Sequence, residues 1–221
     1  MIKLINIQKS FRDGENRLNH VLRGISMEVG KGEFVAIKGP SGSGKTTLLS
    51  ILGTLIKPDS GSYYLDKTDM TASKTDYSHI RNKQIGFVFQ DHRLLPQYTA
   101  LENILLPTLA CHSKTGAEKI DYAHHLMELT RISNVLNQYP PTLSGGEACR
   151  VAVCRALIMK PLLVLADEPT GQLDGENATN IASLLSEINK NILTTIIMVT
   201  HSDEISSFAQ RILTLKEGKL L

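Results

Sequence analysis

Gly39-Pro40-Ser41-Gly42-Ser43-Gly44-Lys45-Thr46 follows an apolar run at residues 34–37 and precedes Thr47-Leu48-Leu49-Ser50-Ile51-Leu52. Strand, glycine-rich turn and helix start, in that order, form the context that the G-x-x-x-x-G-K-[ST] phosphate loop requires; without it, the same residues would be a turn with an accidental Lys-Thr. Three glycines let the backbone curl until several N–H groups point into one concavity, and the helix N-terminus behind them adds positive potential. The expectation is a triphosphate cradled by residues 39–47. Lys45 would supply a point charge to the β- and γ-phosphates, and the Thr46 hydroxyl would ligate Mg²⁺.

A loop of this kind needs an α/β sheet to carry it, and the hydrophobic pattern supplies one. Residues 2–11 and 21–29 alternate like half-exposed strands, separated by a polar stretch at 12–20 without periodicity. Residues 30–33 and 57–61 are turns by composition, and 62–65 reads as a short strand. Ile85-Gly86-Phe87-Val88-Phe89 and Leu162-Leu163-Val164-Leu165-Ala166 are continuous apolar runs of the kind buried on both faces of a parallel sheet. From 91 to 160 strand signals vanish. That segment reads as a helical insert, with helices near 117–130 and 144–159 separated by Pro96, Pro107, Pro140 and Pro141. A helix over 176–190 with Ile181, Leu184, Leu185 and Ile188 on one stripe, a strand at 194–200, a short helix from Asp203 and a hairpin around Glu217-Gly218 complete the chain. The fold class is α/β: a phosphate-loop core with a mixed or parallel sheet (1–90 and 161–221), an antiparallel N-terminal β subdomain, and the helical subdomain 91–160.

Two further stretches carry chemistry. Asp167-Glu168 ends the most apolar strand, where α/β sheets place ligands. Asp167 can hold a hydrated Mg²⁺, and Glu168 can take a proton from the water that attacks the γ-phosphate. Leu143-Ser144-Gly145-Gly146-Glu147 contains an S-x-x-E capping box, yet two glycines in a first helical turn cost about 1 kcal/mol each relative to alanine. Bare N–H groups and a serine hydroxyl at a helix start make a second anion site.

Composition narrows the partners. The 221 residues carry a net charge of +2, too small to argue for nucleic acid. No N-terminal signal pattern and no apolar run of about 20 residues appears, so the expectation is a chain with no span of its own. Cys111, Cys149 and Cys154 are scattered. Cys149 and Cys154 would lie about 8 Å apart on different faces of one helix, which excludes a disulfide between them and favours reduced thiols.

In this order and at these strand ends, the motifs resemble an ATP-binding cassette over essentially the whole chain. The resemblance implies ATP and Mg²⁺ as ligands, and a head-to-tail homodimer formed in the presence of ATP. In it, Ser144, Gly145, Gly146 and Glu147, matching the signature sequence, close over the γ-phosphate held by the other copy. It further implies roles for single residues. Gln90 matches the Q-loop glutamine near Mg²⁺ and the attacking water, Asp167 and Glu168 the Walker B pair, Asp174 the D-loop at the dimer interface, and His201 the switch histidine. Phe11 matches the aromatic on which adenine stacks, and Lys45 the catalytic lysine. Ala148 and Cys149 depart from the family, which carries a charged residue and then a polar one there.

Residues 85–96, 99–104 and 167–174 are similar to the LolD and MacB group. That likeness implies an integral membrane permease of the MacB, LolCE or FtsX kind as partner, docking on residues 91–109. It also implies a place on the cytoplasmic face of the inner membrane and mechanotransmission for lipoprotein release or for peptide or drug export. An FtsE-like regulator of cell division or the cell wall would use the same cassette. A soluble phosphate-loop kinase would share residues 39–46 but has no use for residues 143–147 or His201, and DNA-repair or translation cassettes carry inserts or a second cassette that this chain lacks.

Overall fold

The computed structural model describes all residues except 13, 15–17, 73–74 and 111–115, so Cys111 and part of the 12–20 stretch lie outside it. In chain order the elements are β1 (Ile2–Arg12), β2 (Leu18–Val29), β3 (Phe34–Lys38), α1 (Lys45–Leu52), β4 (Ser60–Leu65), β5 (Thr68–Asp69), α2 (Tyr77–Gln84) and β6 (Ile85–Val88). There follow α3 (Ala100–Leu109), α4 (Ala117–Leu129), α5 (Gly145–Leu157), β7 (Leu163–Asp167), α6 (Gly175–Ile192), β8 (Thr195–Thr200), α7 (Asp203–Ser206), β9 (Arg211–Lys216) and β10 (Lys219–Leu220).

The strands form two sheets. The first is antiparallel in the order β2-β1-β4-β5; the second runs β10-β9-β3-β8-β7-β6 and is parallel except for the β9–β10 hairpin. The central strands of the second sheet are buried on both sides, which is why they read as unbroken apolar runs, yet their residues still divide by the two-residue period. Phe34, Ala36, Val88, Val164, Ala166, Ile196 and Met198 face a core shared with α3, α4, α5 and α6. Val35, Ile37, Ile85, Leu163, Leu165, Ile197 and Val199 face the other core, closed by α1 and the antiparallel sheet. The stripe Ile181, Leu184, Leu185, Ile188 is buried as its spacing demands.

Several elements differ from the sequence expectation. Residues 18–20, read as loop, extend β2 against the far end of β1, with Phe11 opposite Asn19 and Arg12 opposite Leu18. Both faces of this end are exposed, so no apolar period marks it. α3 was hidden by Pro107, which lies inside that helix rather than ending it. Its start is nevertheless written in Thr99-x-x-Glu102, a capping box with both reciprocal bonds made. α2 is polar, with only Ile80 buried, and has no stripe to read.

Gly86 sets how closely α5 seats on β6. A Cβ there would lie 2.2 Å from the Ala156 carbonyl oxygen, a distance no side chain accommodates. Gly86→Ala is expected to destabilise the fold by about 1–3 kcal/mol through overpacking, read as a lower urea midpoint. An unchanged midpoint would mean that α5 withdraws from β6 without cost.

Candidate functional site

The parallel order β3-β8-β7-β6 brings four chain exits to one edge. Lys38 pairs with Thr200, Asp167 with Val199 and Val88 with Ala166. The phosphate loop after β3, His201 after β8, Asp167-Glu168 at the end of β7 and Gln90 after β6 therefore emerge side by side at the carboxyl ends. Sequence distance is cancelled by register.

The loop itself is built for an anion. Gly42 and Gly44 hold φ of 76° and 101°, and a Cβ on Gly39 would sit 2.1 Å from the Leu215 carbonyl oxygen. α1 begins at Gly44 with no side-chain cap and no acidic residue in its first turn, leaving its leading N–H groups and their dipole for a ligand. Ser43 Oγ is buried with no hydrogen-bond partner among the described residues. Lys45 Nζ, buried at the centre, donates to the carbonyls of Gly39 at 2.8 Å and Pro40 at 3.0 Å, and lies 4.0 Å from Glu168 Oε1. An orphaned hydroxyl, unused N–H groups and a buried ammonium all fit a bound polyphosphate.

Beside it stands a carboxylate pair. Thr46 Oγ1 donates to Asp167 Oδ1 at 3.4 Å, and burial, then the Glu168 carboxylate, push the Asp167 carboxyl above its ordinary range. A cation next to Thr46 and Asp167 would relieve both. Among the described residues no three His, Cys, Asp or Glu side chains converge on one point, so an ion held here would take its other ligands from phosphate and water, as Mg²⁺ does. Glu168 is a non-glycine residue at φ 43°, held there by its N–H on the Val199 carbonyl and its own carbonyl on the Gly171 N–H, both 3.0 Å. Its Oε2 is 3.1 Å from His201 Nδ1. The Gln90 amide reaches the same turn, since a Cβ on Gly171 would lie 3.1 Å from Gln90 Nε2.

The remaining residues singled out by sequence sit elsewhere. Phe11 is 43% exposed near the end of β1, with Lys9 Nζ 5.5 Å from its ring centre. β2 passes from Asn19, opposite Phe11, to Val21 and Leu22, which pack against Gly44, so the ring stands on the strand pair that covers the phosphate loop. Ser144 opens α5 in a closed capping box: its N–H and Oγ donate to Glu147 Oε2 at 2.8 and 2.7 Å, and it accepts from the Glu147 N–H. A Cβ on Gly145 would meet Leu173, and one on Gly146 would meet Asn177. Ser144 and Gly145 are exposed, and no hydrogen bond or ion pair found among the described residues joins this turn to the phosphate loop. Asp174 caps α6, accepting from the N–H and the amide of Asn177, which holds its carboxyl below the usual range.

The departure at Ala148-Cys149 resolves into packing. Cys149 is fully buried, its thiol donates to the Pro169 carbonyl at 3.3 Å, and burial pushes its pKa up to about 12, so it stays neutral. Cys154 is likewise buried beside Thr130. Two features escaped the sequence reading. Asn103, fully buried, ties down the segment after Gln90: its amide donates to the carbonyls of Leu95, Tyr98 and Thr99, and its oxygen accepts from the Leu95 N–H. Arg155 donates to the carbonyls of His92 and Arg93. The signal for it was an arginine alone in the apolar run Val151-Ala152-Val153-Cys154-Arg155-Ala156-Leu157.

Known proteins share this arrangement. Residues 22–171 match the ABC transporter family. The lipoprotein-releasing system ATP-binding protein LolD of Legionella pneumophila is 44% identical over 217 residues, covering 97% of this chain and 94% of that protein. The uncharacterized ABC transporter ATP-binding protein YvrO of Bacillus subtilis is 42% identical over 222 residues, covering 100% and 96%. The macrolide export ATP-binding/permease protein MacB of Rhodopirellula baltica is 41% identical over 99% of this chain, which spans 32% of that longer protein. The solved dimer of a bacterial ABC transporter cassette superposes with a TM-score of 0.89 at 38% identity, over 100% of this chain and 96% of that one. The same cassette is known in a post-hydrolysis state bound to ADP and phosphate. With more than half its length inside the family match and relatives above 40% identity end to end, this chain belongs to the ABC transporter family, as an ATP-binding subunit that hydrolyses ATP.

Proposed function

We propose that two copies of this chain share each nucleotide, and that closing and opening this pair drives a membrane partner. One observation carries the reading. The helix start at Gly44 is uncapped and open to an anion, while the exposed Ser144 turn that opens α5, the second anion site expected from sequence, makes no hydrogen bond or ion pair to it among the described residues. Each is half of a site, and a second copy set head to tail supplies the missing half.

Within that pair, residues 39–47 grip the phosphates and Phe11 takes the adenine face. Mg²⁺, when bound, would supply charge neutralisation for the phosphates. Thr46, Asp167 and Gln90 would hold it. Lys45 leaves the Gly39 and Pro40 carbonyls for the anion. Glu168, half-buried beside the loop and steered by His201, accepts the proton of the attacking water, while Ser144, Gly145 and Gly146 of the second copy close the far side and Asp174 approaches across the interface. Residues 91–160 would move as one helical unit on the core, Gln90 lying at the joint.

The partner is read from a groove. A cavity of about 540 Å³ between the Gln90 loop and the helical segment is lined by Phe87, Phe89, Arg93, Leu106, Pro107 and Met159, among others. Its apolar floor and basic rim suit a short helix presented by a permease. No helix among the described residues is long and apolar enough to cross a membrane, so attachment to the cytoplasmic face of a membrane would run through that partner. The LolD likeness favours lipoprotein release, and the MacB likeness peptide or drug export, over a purely regulatory role. The chain, tagged and purified from detergent-solubilised membranes, should retain an integral membrane protein with a large extracytoplasmic domain. Leu106→Asp should lose that protein while keeping ATPase activity in solution. Retention by the Leu106→Asp variant would remove the groove as the docking place.

A further inference from the structure

α5 hydrogen-bonds the loop after Gln90 through Arg155. His92 and Arg93 are consecutive non-glycine residues in the left-handed region, at φ 55° and 47°, a conformation that L-residues avoid. The Arg155 guanidinium takes both of their carbonyls: one terminal nitrogen donates to His92 O at 2.5 Å, the other to Arg93 O at 2.6 Å. A planar fork with two outward N–H groups matches this pair in a way that a single ammonium does not. The rest of the loop is built around the same turn. The Arg93 guanidinium lies 4.1 Å from the Phe89 ring centre and pairs with Asp91 at 3.3 Å, while the His92 ring is buried.

The placement along α5 gives the contact a purpose. Arg155 sits eleven residues from Ser144 on one unbroken helix, about 16 Å along its axis. Between them Cys149 bonds the carbonyl that follows Glu168, and next to Arg155 the Ala156 carbonyl abuts Gly86. One helix thus joins the Ser144 turn at one end to the two residues that follow Asp91 at the other.

We propose that Arg155 is a positioning residue of the ATPase cycle. By clamping the His92 and Arg93 carbonyls it holds the Gln90 loop in its strained form and makes the position of Gln90 follow α5. The inference rests on the shared-site reading above, because α5 has to be moved from its Ser144 end. It acts through Gln90 and touches no nucleotide, so its signature is a change in kcat without a change in nucleotide binding.

Steady-state ATPase assays on the purified full chain test this with Arg155→Gln, Arg155→Lys, Gln90→Ala and the Arg155→Gln/Gln90→Ala pair. Arg155→Gln should lower kcat by about tenfold to a hundredfold, the cost of misplacing a site group by an ångström. KM for ATP and the affinity for a fluorescent ATP analogue should stay within about twofold of wild type. Arg155→Lys, keeping the charge and one donor nitrogen, should fall between. The pair should be no slower than Gln90→Ala alone, since both changes act on one element. An Arg155→Gln kcat equal to wild type, a rise in KM alone, or losses that multiply in the pair would overturn the proposal. Should Arg155→Gln unfold, Arg155→Lys, alone and combined with Gln90→Ala, answers by the same comparison. A flat, inactive phosphate-release series on mixing Lys45→Ala and Ser144→Arg chains would instead sink the shared-site reading, so the two failures are told apart.

Discussion

Glutamine in place of Glu168 is expected to cut ATP turnover by about a hundredfold to ten-thousandfold, the usual contribution of a positioned general base, and to make the ATP-bound pair persist. The substitution keeps the shape of the side chain and removes only its basicity. The turn that presents it does not depend on the carboxylate, because its φ of 43° is fixed by backbone bonds from its own N–H to Val199 and from Gly171 to its carbonyl. His201 Nδ1 still finds an acceptor in the amide oxygen. Lys45, 4.0 Å from the present Oε1, loses a competing anion and is freer for phosphate. Binding and closure thus survive while the chemical step fails. On a sizing column the Glu168→Gln chain should run as a monomer without nucleotide and as a dimer with ATP, and phosphate release should be barely measurable. Wild-type turnover by this variant would assign the base to another group, and an ATP-independent elution volume would remove the shared site.

How much of this was legible depended on where each signal is written. The phosphate loop and β7 were plain because their physics is local: glycines at positive φ and a strand buried on both faces leave a mark in consecutive residues. His201 and Gln90 could be placed at strand ends by pattern, but their neighbours Glu168 and Gly171 are set by sheet order, which no local window contains. Pro107 concealed α3, because a proline beyond the first turn clashes with the carbonyl four residues back and reads as a helix breaker, yet the helix here runs through it to Leu109. The far end of β2 was lost for the opposite reason: its side chains are exposed on both faces, and the side-chain bond made there, between Ser10 Oγ and His20 Nδ1 at 2.9 Å, is polar and leaves no apolar period. Arg155 was the most consequential omission. A charged residue on a buried helix face requires partners, and here the partners are two main-chain carbonyls about sixty positions earlier, which leave no trace in residue type.

Mixing two disabled chains should restore what neither has, and this outcome separates a shared site from a self-contained one most sharply. Lys45→Ala removes the ammonium from the phosphate loop and leaves the Ser144 turn intact. Ser144→Arg does the reverse: it breaks the capping box, at a cost of about 1 kcal/mol to α5, and fills the exposed turn with a long side chain. Each variant alone is expected to hydrolyse ATP at on the order of a hundredth of the wild-type rate or less, the loss typical of one charge-stabilising contact. In an equimolar mixture about half of the dimers are mixed. A mixed pair joins both lesions in one site and both intact halves in the other, so up to about a quarter of all sites become whole. Phosphate release measured against the mixing ratio should therefore rise to a maximum near equal amounts and vanish at either end. A flat, inactive series would exclude the pairing of a Gly44 site in one copy with a Ser144 turn in the other, and full activity of Ser144→Arg by itself would show the phosphate loop to be complete without a partner.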